Sequence, residues 1–250
     1  MPRFSPLCLS ALAACALLLG AGARADDAGV EKSGPQMVGT PNIGTPTNSP
    51  ASAKEAAEGR KIALRVQRFY GKRRDFQAAF AQRYTYAALG RAEEKSGVVQ
   101  VKRPGLLRWE YAAPDKRLLV LDGKAFWQWS PDDNQVSVKR DVRGEQLSSA
   151  FTFLWGKGDL LGEFVPRALA LPAGLPQGDA VLLLPKQSGG SVQQIIFSVD
   201  KQGRVLASVV TDAQGNENRL IFSDAKIDQK LPDTTFQFTP PAGANVEELP

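Results

Sequence analysis

The sequence has no histidine among its 250 residues, and its only two cysteines, Cys8 and Cys15, sit close to the start. Without histidine, the commonest general base and the commonest transition-metal side-chain ligand are missing. A Ser-His-Asp arrangement is excluded, and so is a histidine zinc site. Removal of the first residues would take both cysteines with it. A thiolate nucleophile and a cysteine metal site are then excluded too, and a chain entering an oxidising compartment has no disulfide to form. Stability must come from a packed core. With 43% hydrophobic and 23% charged residues, the composition suits a soluble protein with a sizeable core.

The start of the chain has a pattern of its own. Arg3 is followed by an apolar run from Leu7 to Leu19, then by Ala23-Arg24-Ala25, with small residues where a signal peptidase reads. That order predicts a signal peptide over residues 1–25, cleaved between Ala25 and Asp26. The run falls short of the ~20 apolar residues a spanning helix takes. Leu12-Ala13-Ala14-Cys15 also matches a lipoprotein box that would lipidate Cys15. The apolar Ala16-Leu17-Leu18-Leu19 after it favours simple cleavage. The formal charge of +5 drops to +3 when Arg3 and Arg24 leave. So small an excess does not by itself indicate nucleic acid.

Residues 26–54 are rich in Gly, Pro, Thr, Ser and Asn, with few large apolar side chains. Such a segment cannot bury enough surface to offset its ordering entropy, so it is predicted to be a disordered linker. A single domain is expected over residues 55–250.

A helix is expected from Glu55 to about Tyr70, because Ile62, Val66, Phe69 and Tyr70 fall on one helical face. Lys61, Arg65, Arg68 and Lys72 form a basic stripe on another face. That stripe is either a solvated surface or a docking face for an acidic partner or an anionic membrane. After Gly71 the period changes to two. Phe76–Tyr86 alternates as a strand, and further strands are expected at Ser96–Lys102, Leu106–Tyr111, Leu118–Leu121, Ala125–Trp129 and Gln135–Lys139. Turn sequences such as Arg103-Pro104-Gly105 and Asp122-Gly123-Lys124 separate them. Short helices are expected at Glu145–Leu154 and Asp159–Phe164. Strands resume at Val181–Leu184, Val192–Val199, Val205–Thr211, Asn218–Ser223 and Phe236–Phe238. A long antiparallel meander of this kind curls into a barrel or half-barrel, because an open sheet exposes its edges.

Several stretches resemble one family. Val101-Lys102-Arg103-Pro104-Gly105-Leu106-Leu107-Arg108-Trp109 looks like its K-R-P-x-x-F-x-W strand pair. Leu119-Val120-Leu121-Asp122-Gly123-Lys124-Ala125-Phe126-Trp127 looks like its V-x-D-G-K-x-x-W hairpin. Pro131 with Gln135-Val136 resembles the segment after that hairpin. Phe76-Gln77-Ala78-Ala79-Phe80-Ala81-Gln82 matches F-x-A-x-F-x-Q, and Phe236–Val246 resembles the F-x-F-x-P-P-x-G-x-x-V tail. Five motifs in order over roughly residues 55–248 make the sequence resemble the outer-membrane lipoprotein carrier family.

The resemblance implies a mainly β fold, an incomplete antiparallel β-barrel (half-barrel) with a helical lid. It implies a periplasmic, non-enzymatic carrier, monomeric and without cofactor or metal. Its partners would be acylated lipoproteins, an inner-membrane ABC-type release complex that hands them over, and an outer-membrane receptor lipoprotein that takes them; nucleic acid would not be among them. Arg103 matches the family arginine that hydrogen-bonds the lid backbone. Leu107 stands where the family has an aromatic, a departure that removes any specific ring contact. Two other functions fit the same fold, a lipid-sensing envelope module and a lipidated outer-membrane acceptor. Candidate lining residues of a lipid-binding cavity are Phe76, Phe80, Val99, Val101, Leu107, Trp109, Leu119, Leu121, Trp127 and Trp129. Candidate lid residues are Ile62, Val66, Phe69, Leu147, Phe151, Phe153 and Leu154, with Arg103 as latch. Each apolar residue could equally be plain core or helix-on-sheet packing. Were the interior to be solid rather than hollow, a carrier would lack room for its load.

Overall fold

Ser52 starts the first helix, α1 (Ala53–Gly71), through a capping box. Its hydroxyl accepts the Glu55 N–H at 3.2 Å while the Glu55 carboxylate accepts the Ser52 N–H at 2.8 Å. Two of the free N–H groups of the first turn are thereby satisfied. A computed structural model describes residues 52–142, 159–187 and 189–249. The helix begins two residues ahead of the boundary the sequence suggests, because the cap lies in the polar stretch just before the apolar face. The Glu145–Leu154 helix and the candidate lid residues Leu147, Phe151, Phe153 and Leu154 lie outside the described residues.

Twelve strands follow: β1 (Asp75–Tyr86), β2 (Arg91–Lys102), β3 (Leu106–Tyr111), β4 (Arg117–Leu121), β5 (Ala125–Ser130), β6 (Gln135–Arg140), β7 (Phe164–Leu169), β8 (Asp179–Pro185), β9 (Val192–Val199), β10 (Val205–Asp212), β11 (Glu217–Ile227) and β12 (Asn245–Glu248). They form one open sheet in the order β12-β6-β5-β4-β3-β2-β1-β11-β10-β9-β8-β7. All neighbours are antiparallel except β12, which runs parallel to β6.

Three expectations need correction. Asp159–Phe164 contributes a single helical turn, Leu160–Glu163, and then strand β7. Pro166 hid that strand in the sequence, and an edge strand is where proline is tolerated. Phe236–Phe238 is not a strand; Asp233–Phe236 forms a 3-10 turn and the chain crosses the sheet beyond it. The last strand is β12 instead. Its four exposed residues have no alternating burial to reveal it and hold only through pairing with β6.

The sheet is strongly curled. Leu107 and Leu119 of β3 and β4 belong to the same contiguous apolar cluster as Val181 and Leu183 of β8. In the strand order β4 and β8 stand seven places apart, which in a flat sheet would separate them by roughly 30 Å. The concave face therefore closes around one core, with α1 laid against its β7–β8 end. A second cluster, Leu175, Leu182, Ile196, Ala207 and Val209, covers part of the convex face.

Candidate functional site

Strand register decides which face each side chain takes, since opposed residues point the same way. Val99 pairs with Trp109 and Val101 with Leu107. Leu107 in turn pairs with Leu121, and Trp109 with Leu119. These six face the concave side together with Phe76 and Phe80, and all eight are buried in one cluster with Ile62 and Val66 of α1. Phe69 packs half-buried against that cluster. The sequence thus places eight of its lining candidates on one surface.

Trp127 and Trp129 do not join them. They pair with Val120 and Leu118 of β4, whose side chains lie on the face opposite to Leu119 and Leu121. The two indoles are half-exposed on the convex side, where Phe238 packs against both at ring-centroid distances of 5.7 and 6.0 Å. The residue of β5 that faces inward is Phe126, opposite Leu121. The period-two pattern gave the correct pairing of the tryptophans with each other. It could not reveal which face was concave, because on β5 the more apolar face, with Ala125, Trp127 and Trp129, is the convex one, while Phe126 shares the inward face with Gln128 and Ser130.

The sequence candidates also covered only half the concave surface. Val181, Leu183, Ile195 and Phe197, from β8 and β9, are buried in the same cluster. Their period-two spacing was visible, but nothing in the sequence said that the curl brings them opposite β3 and β4.

The concave face is filled rather than hollow, both beneath the end of α1 and farther along the sheet between β1 and β3. Tyr70 meets Phe76 with ring centroids 5.8 Å apart, and Phe80 meets Trp109 at 4.7 Å and Tyr111 at 5.2 Å. Space for a long hydrocarbon chain here requires side chains of α1 and of the sheet to move aside.

The helix is fastened at a few points. Near its start Gly59 lies so close to β7 that a Cβ there would stand 2.6 Å from the Ala168 nitrogen. Arg65 Nη2 reaches Asp179 Oδ2 of β8 at 2.6 Å. That pairing takes Arg65 out of the solvated stripe, where Lys61 bridges only to Glu58. The Tyr70 hydroxyl accepts the Val205 N–H at 3.2 Å, and burial pushes the phenol well above its ordinary pKa. At the far end Arg103, in the turn between β2 and β3, donates from Nη1 to the Gly71 carbonyl at 3.1 Å. Burial pulls Arg103 below the usual arginine value, but a guanidinium stays charged at any ordinary pH.

One end of the concave face is polar. Gln82 continues the inward series of Phe76 and Phe80, and its Nε2 donates to Asn218 Oδ1 at 2.9 Å. Both residues are buried. Among the described residues no group of three or more acidic, cysteine or histidine side chains could hold a metal.

The family model described as outer membrane lipoprotein carrier protein LolA matches residues 72–239. Over 171 residues the chain is 38% identical to the outer-membrane lipoprotein carrier protein of Methylibium petroleiphilum, covering 68% of this chain and 81% of that one. It is 31% identical over 201 residues to the protein of the same description from Chromobacterium violaceum, covering 79% and 89%. A third such protein, from Dechloromonas aromatica, is 31% identical over 179 residues, covering 71% and 83%. The match spans the strands that build the concave face, the Arg103 turn and Phe238, and on that basis the chain belongs to the outer-membrane lipoprotein carrier family.

Proposed function

We propose that this protein binds the acyl chains of lipoproteins on its concave face and carries them through the periplasm, from an inner-membrane release complex to an outer-membrane receptor lipoprotein. The observation that carries the proposal is an apolar concave surface roofed by a helix that few polar contacts hold down. Each buried methylene contributes about 0.8 kcal/mol, so one long acyl chain exposed to water represents on the order of 10 kcal/mol. A carrier must offset that cost and still let go. A roof that swaps its own apolar contacts for those of the cargo does both, because the closed empty form and the open loaded form then lie close in free energy.

Arg103 is the latch of this roof. Its guanidinium, the Arg65–Asp179 pair and the Tyr70 hydroxyl hold α1 closed. Individually such bonds contribute about 1 kcal/mol, so they bias the equilibrium without locking it. Residues 1–25 act as the export signal and the residues between them and the Ser52 cap as a linker ahead of the domain. Binding and release are non-covalent.

Native mass spectrometry of protein recovered from the periplasm tests this reading. The expected spectrum contains complexes heavier than the free chain by the mass of an acylated polypeptide. A spectrum holding the free chain alone, from cells actively exporting lipoproteins, overturns it.

A further inference from the structure

Three segments meet where α1 ends. Arg103 N–H donates to the Arg74 carbonyl at 2.8 Å and Arg103 Nη1 to the Gly71 carbonyl at 3.1 Å. Arg74 N–H donates to Asp228 Oδ1 at 2.8 Å, and Arg73 Nη1 lies 3.1 Å from Asp228 Oδ2. Gln229 N–H donates to Asp75 Oδ1 at 2.8 Å, and Lys102 Nζ to the Leu231 carbonyl at 2.6 Å. Residues 71–75, 102–105 and 228–233 are therefore tied into one knot.

The knot concentrates positive charge. It holds Lys72, Arg73, Arg74, Lys102, Arg103 and Lys230 against Asp75, Asp228 and Asp233, a net +3 in a chain whose total is +5, with Lys226 beside it at the end of β11. The three acids are engaged, Asp75 by burial and backbone bonding, Asp228 by Arg73, and Asp233 by Lys102 at 2.6 Å. Lys72, Arg74, Lys226 and Lys230 are exposed, and among the described residues none has a carboxylate within ion-pair distance. Lys72, Arg73 and Arg74 also suit the negative end of the α1 dipole. That account does not extend to Lys226 and Lys230, which arrive on a different segment.

We infer that this basic knot docks the protein on the anionic headgroup surface of a phospholipid bilayer. A protein partner is the poorer fit. Specific protein interfaces are centred on buried aromatic and aliphatic anchors and are depleted in lysine. None of the exposed large apolar residues, Leu89, Val98, Val165 and Val246, belongs to the knot. Lysine-rich clusters without an apolar anchor bind diffuse negative charge, and every cation adds to the affinity. The knot includes Arg103 and the end of α1, so docking would bring the latch to the membrane. In that respect the inference deepens the carrier proposal and rests on it for its purpose, while its charge argument stands alone.

Co-sedimentation of the exported protein with vesicles tests it, using phosphatidylcholine alone and phosphatidylcholine with one third phosphatidylglycerol. Binding is expected only to the anionic vesicles, and it should collapse as salt shortens the screening length. Each lost cation should lower partitioning roughly fivefold, so the triple variant Lys72→Glu, Arg74→Glu, Lys230→Glu should lose at least on the order of a hundredfold. A control of equal net charge, Lys116→Glu, Lys124→Glu, Lys201→Glu, alters exposed positions outside the knot and should bind nearly as well as the parent. No preference for anionic vesicles overturns the inference. So does an equal loss in the control, and so does binding to polyglutamate without binding to vesicles, which would point to an acidic protein. No lipoprotein is present in the assay, so docking and carriage can fail separately.

Discussion

Arg103 Nη1, in the turn between β2 and β3, lies 3.1 Å from the carbonyl oxygen of Gly71, the last residue of α1. The contact joins the roof helix to the sheet through one half-buried side chain that makes no apolar contribution to the core. Replacing it should therefore leave the fold standing. Arg103→Leu is expected to lower the unfolding free energy by about 1 kcal/mol or less, while delivery of lipoproteins to the outer membrane falls several-fold. Thermal melts and a cell-fractionation assay measure the two effects. Normal delivery by that variant would remove Arg103 from the mechanism.

Gly59 sets how closely α1 approaches β7. Any side chain there meets the Ala168 nitrogen at 2.6 Å, and backbone cannot yield as a side chain tip can. Gly59→Ala should destabilise the protein by about 1–3 kcal/mol. It should also raise uptake of a fluorescent fatty-acid probe, because a lifted helix opens the concave face. A melt unchanged from the parent would mean that α1 has freedom to shift without cost.

Trp127 and Trp129 separate the two faces experimentally. Both touch Phe238 on the convex side. Phe238→Ala should expose the two indoles, shift tryptophan emission to the red and cost about 1–3 kcal/mol, less than a fully buried phenylalanine would. Probe uptake on the concave face should stay as it was. Trp109→Ala should alter uptake strongly and cost about 3–5 kcal/mol, because Trp109 is buried and packs against Phe80 inside.

These tryptophans also show how far a sequence can be read. The period-two alternation identified nearly every strand of the meander, and the residues of β1 to β4 that share a face were correctly grouped. The pattern is local, and local patterns carry pairing but not curvature. That put Trp127 and Trp129 among the concave lining, where the strand in fact presents Phe126. It also left β8 and β9 unrecognised as the opposite wall, although Val181, Leu183, Ile195 and Phe197 are buried with the rest. Strand β12 failed for another reason: Asn245–Glu248 owes its conformation to β6 rather than to its own composition.

Acid should loosen the end of α1. Asp228 is held below its ordinary value of 3.8, chiefly by the Arg74 N–H, with burial opposing and the Arg73 guanidinium adding to the effect. A carboxyl whose folded pKa is depressed stabilises the fold at pH values above its unfolded pKa. That contribution disappears as pH falls through the unfolded value toward the lower folded one. The melting temperature of the parent should therefore fall below about pH 4, and Asp228→Asn should show a shallower decline over the same range. Parallel acid limbs for the two proteins would exclude Asp228 as a contributor.

The central claim is that cargo lies against the concave face and not the convex one. Site-specific photocross-linking from a benzophenone side chain at Phe80 and, separately, at Trp129 tests it most directly, because the two positions lie on opposite faces of one sheet. In cells exporting lipoproteins, the concave position should capture an acylated lipoprotein and the convex position should not. Capture from Trp129 with none from Phe80 would contradict the account.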